Sequence, residues 1–202
     1  MTSPYTNISA KDWALLVLLS IIWGGSFFFT KVALADLTPF TLVALRLCTG
    51  CIFLLLILRL MGLNLPKDIK IWRAFAVMGF LNNMLPFSLI VWGQTHIESG
   101  LASILNATVP LFTILVAFII GSDERPGLIK IIGVFFGFCG IIVMIGPDVL
   151  MGQNKDSLAQ IACLSAALSY AFAGFYGKRF KAAGLKPMVT ATGQVLVSAL
   201  VM

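Results

Sequence analysis

The sequence predicts an all-α fold, a polytopic membrane helix bundle. Hydrophobic residues make up 59% of the 202 residues and charged residues only 11%. The mean hydropathy of +1.01 is far above that of a soluble domain, because a soluble fold needs a polar surface. Uncharged runs of about 20 residues, the length of a helix that crosses a bilayer, recur along the chain. In lipid such runs satisfy their backbone groups as helices, since they lack the alternation of barrel strands.

Six full spans are predicted, followed by the start of a seventh. The first begins after Asp12 and has Lys31 near its end, and the second contains one charge, Arg46. Short turns join the spans, so no connection could hold a soluble domain. The predicted spans cover residues 13–34, 38–58, 74–95, 99–121, 128–146 and 157–177, and a partial seventh begins near Pro187.

The fifth span is rich in glycine. Gly133, Gly137 and Gly140 fall along one side of the predicted helix. Small residues on one side allow two membrane helices to approach closely. We therefore expect these glycines to form a packing face rather than a binding site.

The positions of the basic residues predict the orientation. Cytoplasmic connections of membrane proteins carry an excess of lysine and arginine. With a cytoplasmic N-terminus, eleven basic residues fall inside and only Lys155 falls in an outer loop. We therefore expect a multi-pass protein of the cell membrane with its N-terminus in the cytoplasm. The eleven are Lys11, Arg59, Lys67, Lys70, Arg73, Arg125, Lys130, Lys178, Arg179, Lys181 and Lys186.

The composition argues against several other classes of function. The net charge of +6 lies in short clusters between apolar runs rather than on one basic face, so no nucleic-acid partner is expected. Cys48 and Cys51 have the spacing of a redox or metal pair but lack a second pair, so helix packing is preferred. We find no catalytic Ser/His/Asp set, metal-ligand cluster or phosphate-binding glycine loop, and expect neither an enzyme nor a cofactor.

An internal similarity links the first and sixth spans. Residues 23–31, WGGSFFFTK, and 170–178, YAFAGFYGK, share aromatic residues at the first, sixth and seventh positions and a lysine at the ninth. Pro39 and Pro187 follow the two segments. Because the spans are an odd number apart, they cross the membrane in opposite directions. That arrangement is an inverted repeat, which is common in secondary transporters.

Several motifs of this sequence occur in a recognisable order. They are Trp23–Phe27 with Lys31, Pro39 with Ala44-Leu45-Arg46, the segment 98–113, the acidic turn Asp123-Glu124 and the glycines of the fifth span. In their order and spacing, which cover nearly the whole chain, they resemble the EamA family of the drug/metabolite transporter superfamily.

The resemblance implies ten spans in two five-helix repeats of inverted topology. Residues 11–147 would form the first repeat, and residues 157–202 the truncated start of the second. It also implies a membrane transporter of small metabolites, an exporter of amino acids or related compounds by alternating access. Expected partners are a small-molecule substrate and the lipid bilayer, with a homodimer or a missing second half completing the carrier. The alternative is a non-transporting membrane interaction protein or an inactive remnant of a transporter.

Two basic residues inside the spans are candidates for substrate binding. Arg46 lies near the middle of the second span, where a charge costs about 2.5–3.5 kcal/mol on insertion scales. In one interpretation Arg46 and Lys31 face a water-filled cavity and attract an anionic or zwitterionic substrate. In the other, Arg46 bonds helix-end carbonyls and Lys31 extends to the membrane interface. No aspartate or glutamate lies within an apolar run, which disfavours a cationic substrate.

Asparagines and prolines occur together near the middle of the third and fourth spans. Pro86 removes the donor for the carbonyl four residues earlier, that of Asn82, and Pro110 does the same for Asn106. We expect the asparagines, including Asn83, to bind the substrate. The alternative is hydrogen bonding between helices, at about 0.6 kcal/mol per bond.

Trp23 and Tyr170 occupy equivalent positions in the two repeats, so we expect them to supply aromatic walls. The complete predicted substrate site consists of Trp23, Ser26, Lys31, Arg46, Asn82, Asn83, Asn106 and Tyr170.

Overall fold

The computed structural model describes residues 9–120, 127–145 and 155–202, and within these ranges every regular element is helical. The α-helices are α1 Ala10–Ala33, α2 Pro39–Leu60, α3 Ile69–Gly79, α4 Leu85–Gly93, α5 Ser99–Asn106, α6 Val109–Ile120, α7 Leu128–Ile145, α8 Lys155–Ala182 and α9 Pro187–Val201. In this part of the chain, five helical segments are long and apolar enough to cross a membrane, and α7 and α9 supply shorter apolar helices. The predicted polytopic helical bundle is confirmed.

The outer surface of the bundle is apolar. Trp13, Phe40, Phe53 and Phe118 are each more than half exposed. Water would drive so large an apolar surface to aggregate, whereas lipid solvates it. The surface and the helix lengths together identify a multi-pass membrane protein.

Caps and prolines set where the helices begin. Ser9 and Asp12 form a capping box at the start of α1, in which each side chain accepts from the backbone N–H of the other. Thr38 caps α2 with its side chain, and Pro39 occupies the first turn, where a missing N–H removes no helical bond. Pro187 occupies the same place in α9. The internal similarity therefore aligns two prolines that both begin a helix.

The third span is not one continuous α-helix. A π-helical turn, Phe80–Met84, joins α3 to α4, and the Leu85 N–H donates to the Phe80 carbonyl five residues earlier. In this π-helical register the residue that would donate to the carbonyl of Leu81 is Pro86, which has no N–H.

A hydroxyl from another helix serves that carbonyl. Ser169 of α8 donates through Oγ to the Leu81 oxygen at 2.7 Å. Sequence spacing indicated that Pro86 would affect the carbonyl of Asn82. In the structure the affected carbonyl is that of Leu81, one residue earlier. The reason is the extra residue that a π turn inserts into the helical register.

The fourth span is also divided. α5 ends at Asn106, and both the N–H and the hydroxyl of Thr108 turn back to the carbonyl of Leu105, at 3.2 and 2.7 Å. α6 then begins at Val109 with Pro110 in its first turn. The predicted span over 99–121 is present as Ser99–Ile120, but it contains a turn just before Pro110, because proline cannot continue an α-helix interior.

α8 and α9 hold the other helices together. α8 packs against α4, α5 and α6, and α9 packs against α2 and α3. Buried alanines and Cys163 of α8 contact Ile90 of α4 and Leu105 of α5. The ring centres of Phe75 in α3 and Phe180 in α8 are 5.4 Å apart, and both rings lie beside α9. The second, third and fourth spans thus pack against α8 and α9, whereas α1 packs mainly against α5.

Glycines mark the closest contacts with α8 and α9. A Cβ at Gly93 of α4 would lie 2.8 Å from the Cys163 sulfur of α8. A Cβ at Gly79 of α3 would lie 2.8 Å from the Gln194 carbonyl oxygen of α9. Membrane helices associate through such close backbone approach, because lipid offers little hydrophobic drive.

The glycines of α7 behave differently from one another. A Cβ at Gly137 would lie 2.7 Å from the Leu111 side chain of α6, whereas at Gly133 or Gly140 it would meet no described atom within 4 Å. Of the three glycines expected to form a packing face on the fifth span, only Gly137 makes a close contact within the described residues.

Gly79→Ala is expected to destabilise the protein. The new Cβ would crowd the Gln194 carbonyl oxygen, and overpacking of this kind costs about 1–3 kcal/mol. Gly50→Ala is the matched control, because its Cβ meets nothing within 4 Å and alanine favours a helix. Thermal unfolding in detergent, followed by circular dichroism, should give a lower Tm only for Gly79→Ala. Equal Tm values for the two variants would contradict the close contact.

Candidate functional site

A cavity of about 300 Å³ is enclosed mainly by α1, the π-helical turn and α4. α2 contributes Arg46, α5 contributes Asn106 and α8 contributes Tyr170. Most of the wall is apolar, and it includes the rings of Trp23 and Phe87. This volume is at the lower end of the range of small-molecule sites, about 300–1,000 Å³.

A second cavity of about 630 Å³ adjoins the first between α1 and the broken fourth span. Ser103 and Pro110, on either side of the break, line it. A ligand in either cavity would touch the same shared residues. The shared residues are Leu19, Trp23, Phe27, Asn82, Asn106 and Tyr170.

Arg46 supplies positive charge to the first cavity. Its guanidinium carbon lies 4.3 Å from the centre of the Phe87 ring, a cation–π contact. Among the residues that the structure describes, no carboxylate or carbonyl accepts a hydrogen bond from it. A guanidinium presents five donors and suits a carboxylate bidentately. Its donors therefore remain available to an anionic group in the cavity.

The two adjacent asparagines connect the cavity wall to α9. Asn82 Nδ2 is 3.4 Å from Gln194 Oε1, and Asn83 Nδ2 donates to Ser198 Oγ at 3.2 Å. Asn83 is buried, and Asn82 is partly exposed. Both interpretations of these residues therefore have a basis, since they line the cavity and also join helices.

Two buried amide oxygens in the wall lack a protein partner. Gln94 Oε1 and Asn106 Oδ1 receive no hydrogen bond from any described residue. Gln94 is 0% exposed and Asn106 is 6% exposed. Buried polar atoms normally find a partner, so both oxygens are sites where a ligand donor would be favoured.

Lys31 does not line either cavity. Its ammonium donates to the carbonyls of Gln94 and Ile97, at 2.8 and 3.0 Å. Carbonyls at the end of a helix lack intrahelical donors and favour a nearby cation, and α4 ends here. Lys31 thus ties α1 to the end of α4, and its expected position in the substrate site is corrected.

The structure brings together seven of the eight predicted residues. The seven that line the first cavity are Trp23, Ser26, Arg46, Asn82, Asn83, Asn106 and Tyr170. Sequence reasoning missed Gln94, which lines the same cavity. The signal was present, because Gln94 is an uncharged polar residue inside an apolar run, as the selected asparagines are.

The described residues hold no group of three or more His, Cys, Asp or Glu side chains that could bind a metal ion. The first cavity offers the guanidinium of Arg46, amide groups and aromatic walls for recognition. Such a site can hold a small organic molecule.

Comparison with known proteins identifies relatives of the chain. A family model described as the EamA-like transporter family matches residues 12–146. An uncharacterized transporter of Bacillus subtilis, YoaV, is 24% identical over 81% of this chain and 56% of its own length. The uncharacterized inner membrane transporter YedA of Escherichia coli is 29% identical over 81% of this chain and 52% of its own length.

A third relative has a more specific name. A probable amino-acid metabolite efflux pump of Escherichia coli is 30% identical over 90% of this chain and 58% of its own length. The chain therefore spans about half the length of the curated relatives it matches. No solved structure gives a significant match.

Lys31→Met is expected to destabilise the attachment of α1. It removes two charge-assisted hydrogen bonds to the end of α4, each worth about 1.5–3 kcal/mol before partial replacement by water. Lys11→Met is the control, because Lys11 is exposed near the start of the same helix. Thermal unfolding in detergent should show a marked fall in Tm for Lys31→Met alone. An unchanged Tm would contradict the bridging role.

Proposed function

The chain belongs to the EamA-like transporter family, and on this premise we propose that it transports small metabolites by alternating access. We propose further that it is an exporter of amino acids or related compounds. The family is one of transporters rather than enzymes. The name of the Escherichia coli efflux pump, a relative at 30% identity, supports the class of substrate.

The observation that carries the proposal is the environment of Arg46. A guanidinium without a described carboxylate partner faces a cavity between helices, close to the middle of a span. Burying such a charge in a membrane is costly, so it marks a functional site by default. A carboxylate on the substrate would supply the missing counter-charge.

Other lining residues would complete substrate binding. Trp23 and Tyr170 would hold the apolar part of the substrate, and Ser26 and Asn82 would offer hydrogen bonds. A wall that is mostly apolar with a few polar groups is typical of small-molecule sites.

The proposed mechanism uses the inverted repeat. We propose that residues 11–147 form one repeat and residues 157–202 begin the other, so that Trp23 and Tyr170 are equivalent residues on opposite sides of the site. Rocking of one repeat against the other would expose the cavity to each side of the membrane in turn. The π turn and the broken fourth span, both beside the cavity, are where helices could bend at low cost.

Arg46→Gln is expected to lower the affinity for an amino acid about tenfold or more and to abolish counterflow. It removes the charge that pairs with the carboxylate, and charge-assisted bonds contribute about 1.5–3 kcal/mol. Arg59→Gln, at the exposed end of α2, is the matched control. Equilibrium binding in nanodiscs and counterflow in liposomes with a panel of amino acids measure the two effects.

The two readouts separate the alternatives for Arg46. Normal binding and counterflow by Arg46→Gln, with normal membrane insertion, would remove Arg46 from the site. Binding that depends on Arg46 without any counterflow by the wild-type chain would favour the non-transporting alternative.

We also propose a cytoplasmic N-terminus, supported by the distribution of basic residues. Asp36→Cys, in the turn between α1 and α2, should react with a membrane-impermeant maleimide on intact cells. Asn64→Cys, in the next connection, should react only after the membrane is opened. Both positions are exposed, so accessibility of the side chain does not distinguish them. The reverse labelling pattern would invert the proposed topology.

A further inference from the structure

We infer that Gln94 is a specificity residue that accepts a hydrogen bond from an ammonium group of the substrate. The cavity would therefore select zwitterions over simple carboxylates of the same shape. This inference rests on the proposed function, because it takes Arg46 as the group that binds the carboxylate. It adds a residue and a selection rule to that proposal.

The orientation of the Gln94 amide is fixed by its neighbours. Its Nε2 donates to the carbonyl oxygen of Phe27 at 3.0 Å. A carbonyl can only accept, so the nitrogen must face Phe27 and Oε1 must be the free end. The Gln94 backbone is held as well, because Lys31 donates to its carbonyl at 2.8 Å. The oxygen is thus held in place rather than free to rotate away.

The free oxygen is buried in the wall of the cavity, and a ligand donor would reach it only when the side chains that cover it move aside. Gln94 is 0% exposed, it lines the same cavity as Arg46, and no described residue donates to its Oε1. Asn106 lines the cavity with a second buried oxygen of this kind. A cavity wall with one cation and an unpaired acceptor is complementary to a molecule that carries both an anion and a donor.

An ammonium group fits these acceptors better than the other candidates do. It offers three donors and no acceptor, so it can satisfy Gln94 Oε1 without creating a new unpaired acceptor. A carboxylate alone would face the two amide oxygens with no hydrogen to give. A metal cation prefers six or more oxygen ligands and would be repelled by Arg46.

The spacing along α4 guides the choice of ligands. Arg46 sits over Phe87, and Gln94 follows Phe87 by seven residues, about 10 Å along a helix axis. The ammonium could therefore lie next to the carboxylate or several bonds away, depending on how far the side chains reach. Two ligand pairs cover both cases: leucine with 4-methylpentanoate, and 6-aminohexanoate with hexanoate. Within each pair only the amino group differs.

The experiment measures equilibrium binding of these four compounds to the wild-type chain and two variants in nanodiscs. Gln94→Leu removes the acceptor at similar volume. Gln160→Leu is the matched control: Gln160 is also a buried glutamine with an unpaired Oε1, but it lines neither cavity.

The wild-type chain should bind the amino compound of at least one pair roughly tenfold to a hundredfold more tightly than its partner, as expected for a charge-assisted hydrogen bond. Gln94→Leu should lose most of that preference, because the loss of the acceptor weakens binding of the amino compound alone. Gln160→Leu should keep the preference.

Each result bears on the inference. Equal affinities within both pairs, or a preference that survives in Gln94→Leu, would overturn it and would identify Gln94 as a structural amide that a water serves. In that case Arg46-dependent binding of the carboxylates would still support the proposed function. If none of the compounds binds in an Arg46-dependent way, the proposed function fails together with the inference. If Gln94→Leu does not fold, the test compares the ligand preference of the wild-type chain with that of Gln94→Asn, which has a shorter side chain.

Discussion

The constraint on which the structure depends is that polar groups inside a membrane must find partners within the protein. Pro86 takes a donor from the third span, and the hydroxyl of Ser169 supplies a replacement to Leu81 at 2.7 Å. Asn83, one turn away, donates to Ser198 of α9. The arrangement of α8 and α9 around the earlier spans is therefore determined by polar pairing as well as by close packing at glycines.

The same constraint identifies the site, because the cavity is where pairing is incomplete. Gln94 and Asn106 each have a buried oxygen without a described partner there, and the guanidinium of Arg46 lies over the ring of Phe87. Incomplete pairing inside a membrane is unfavourable unless a substrate completes it in some part of a transport cycle. Groups left unpaired in a cavity are thus a physical reason to propose ligand binding there, independent of the family match.

The sequence predicted the helical spans well because composition and run length determine them directly. It also indicated polar residues that line the first cavity, such as Asn82 and Asn106, because polar residues are conspicuous in apolar runs. It could not predict the π turn or the break after Asn106. A proline indicates a local disturbance, but whether the chain responds with a wider turn or a break depends on partners such as Ser169. The sequence could not predict the glycine contacts either, because Gly79 and Gly93 are important only where α9 and α8 pack against them.

The two cations in apolar spans show why residue type alone does not assign a role. Lys31 lies beside a helix end, where free carbonyls and the helix dipole favour a positive charge. Its ammonium donates two hydrogen bonds there. Arg46 lies beside the first turn of α4, where its guanidinium contacts the face of the Phe87 ring. The position of Lys31 at the end of α4 therefore accounts for its anchoring hydrogen bonds, which Arg46 does not make. The third span supplies both environments within two turns, and Gln94 joins them: its backbone carbonyl accepts from Lys31, while its side chain donates to Phe27 in the cavity wall.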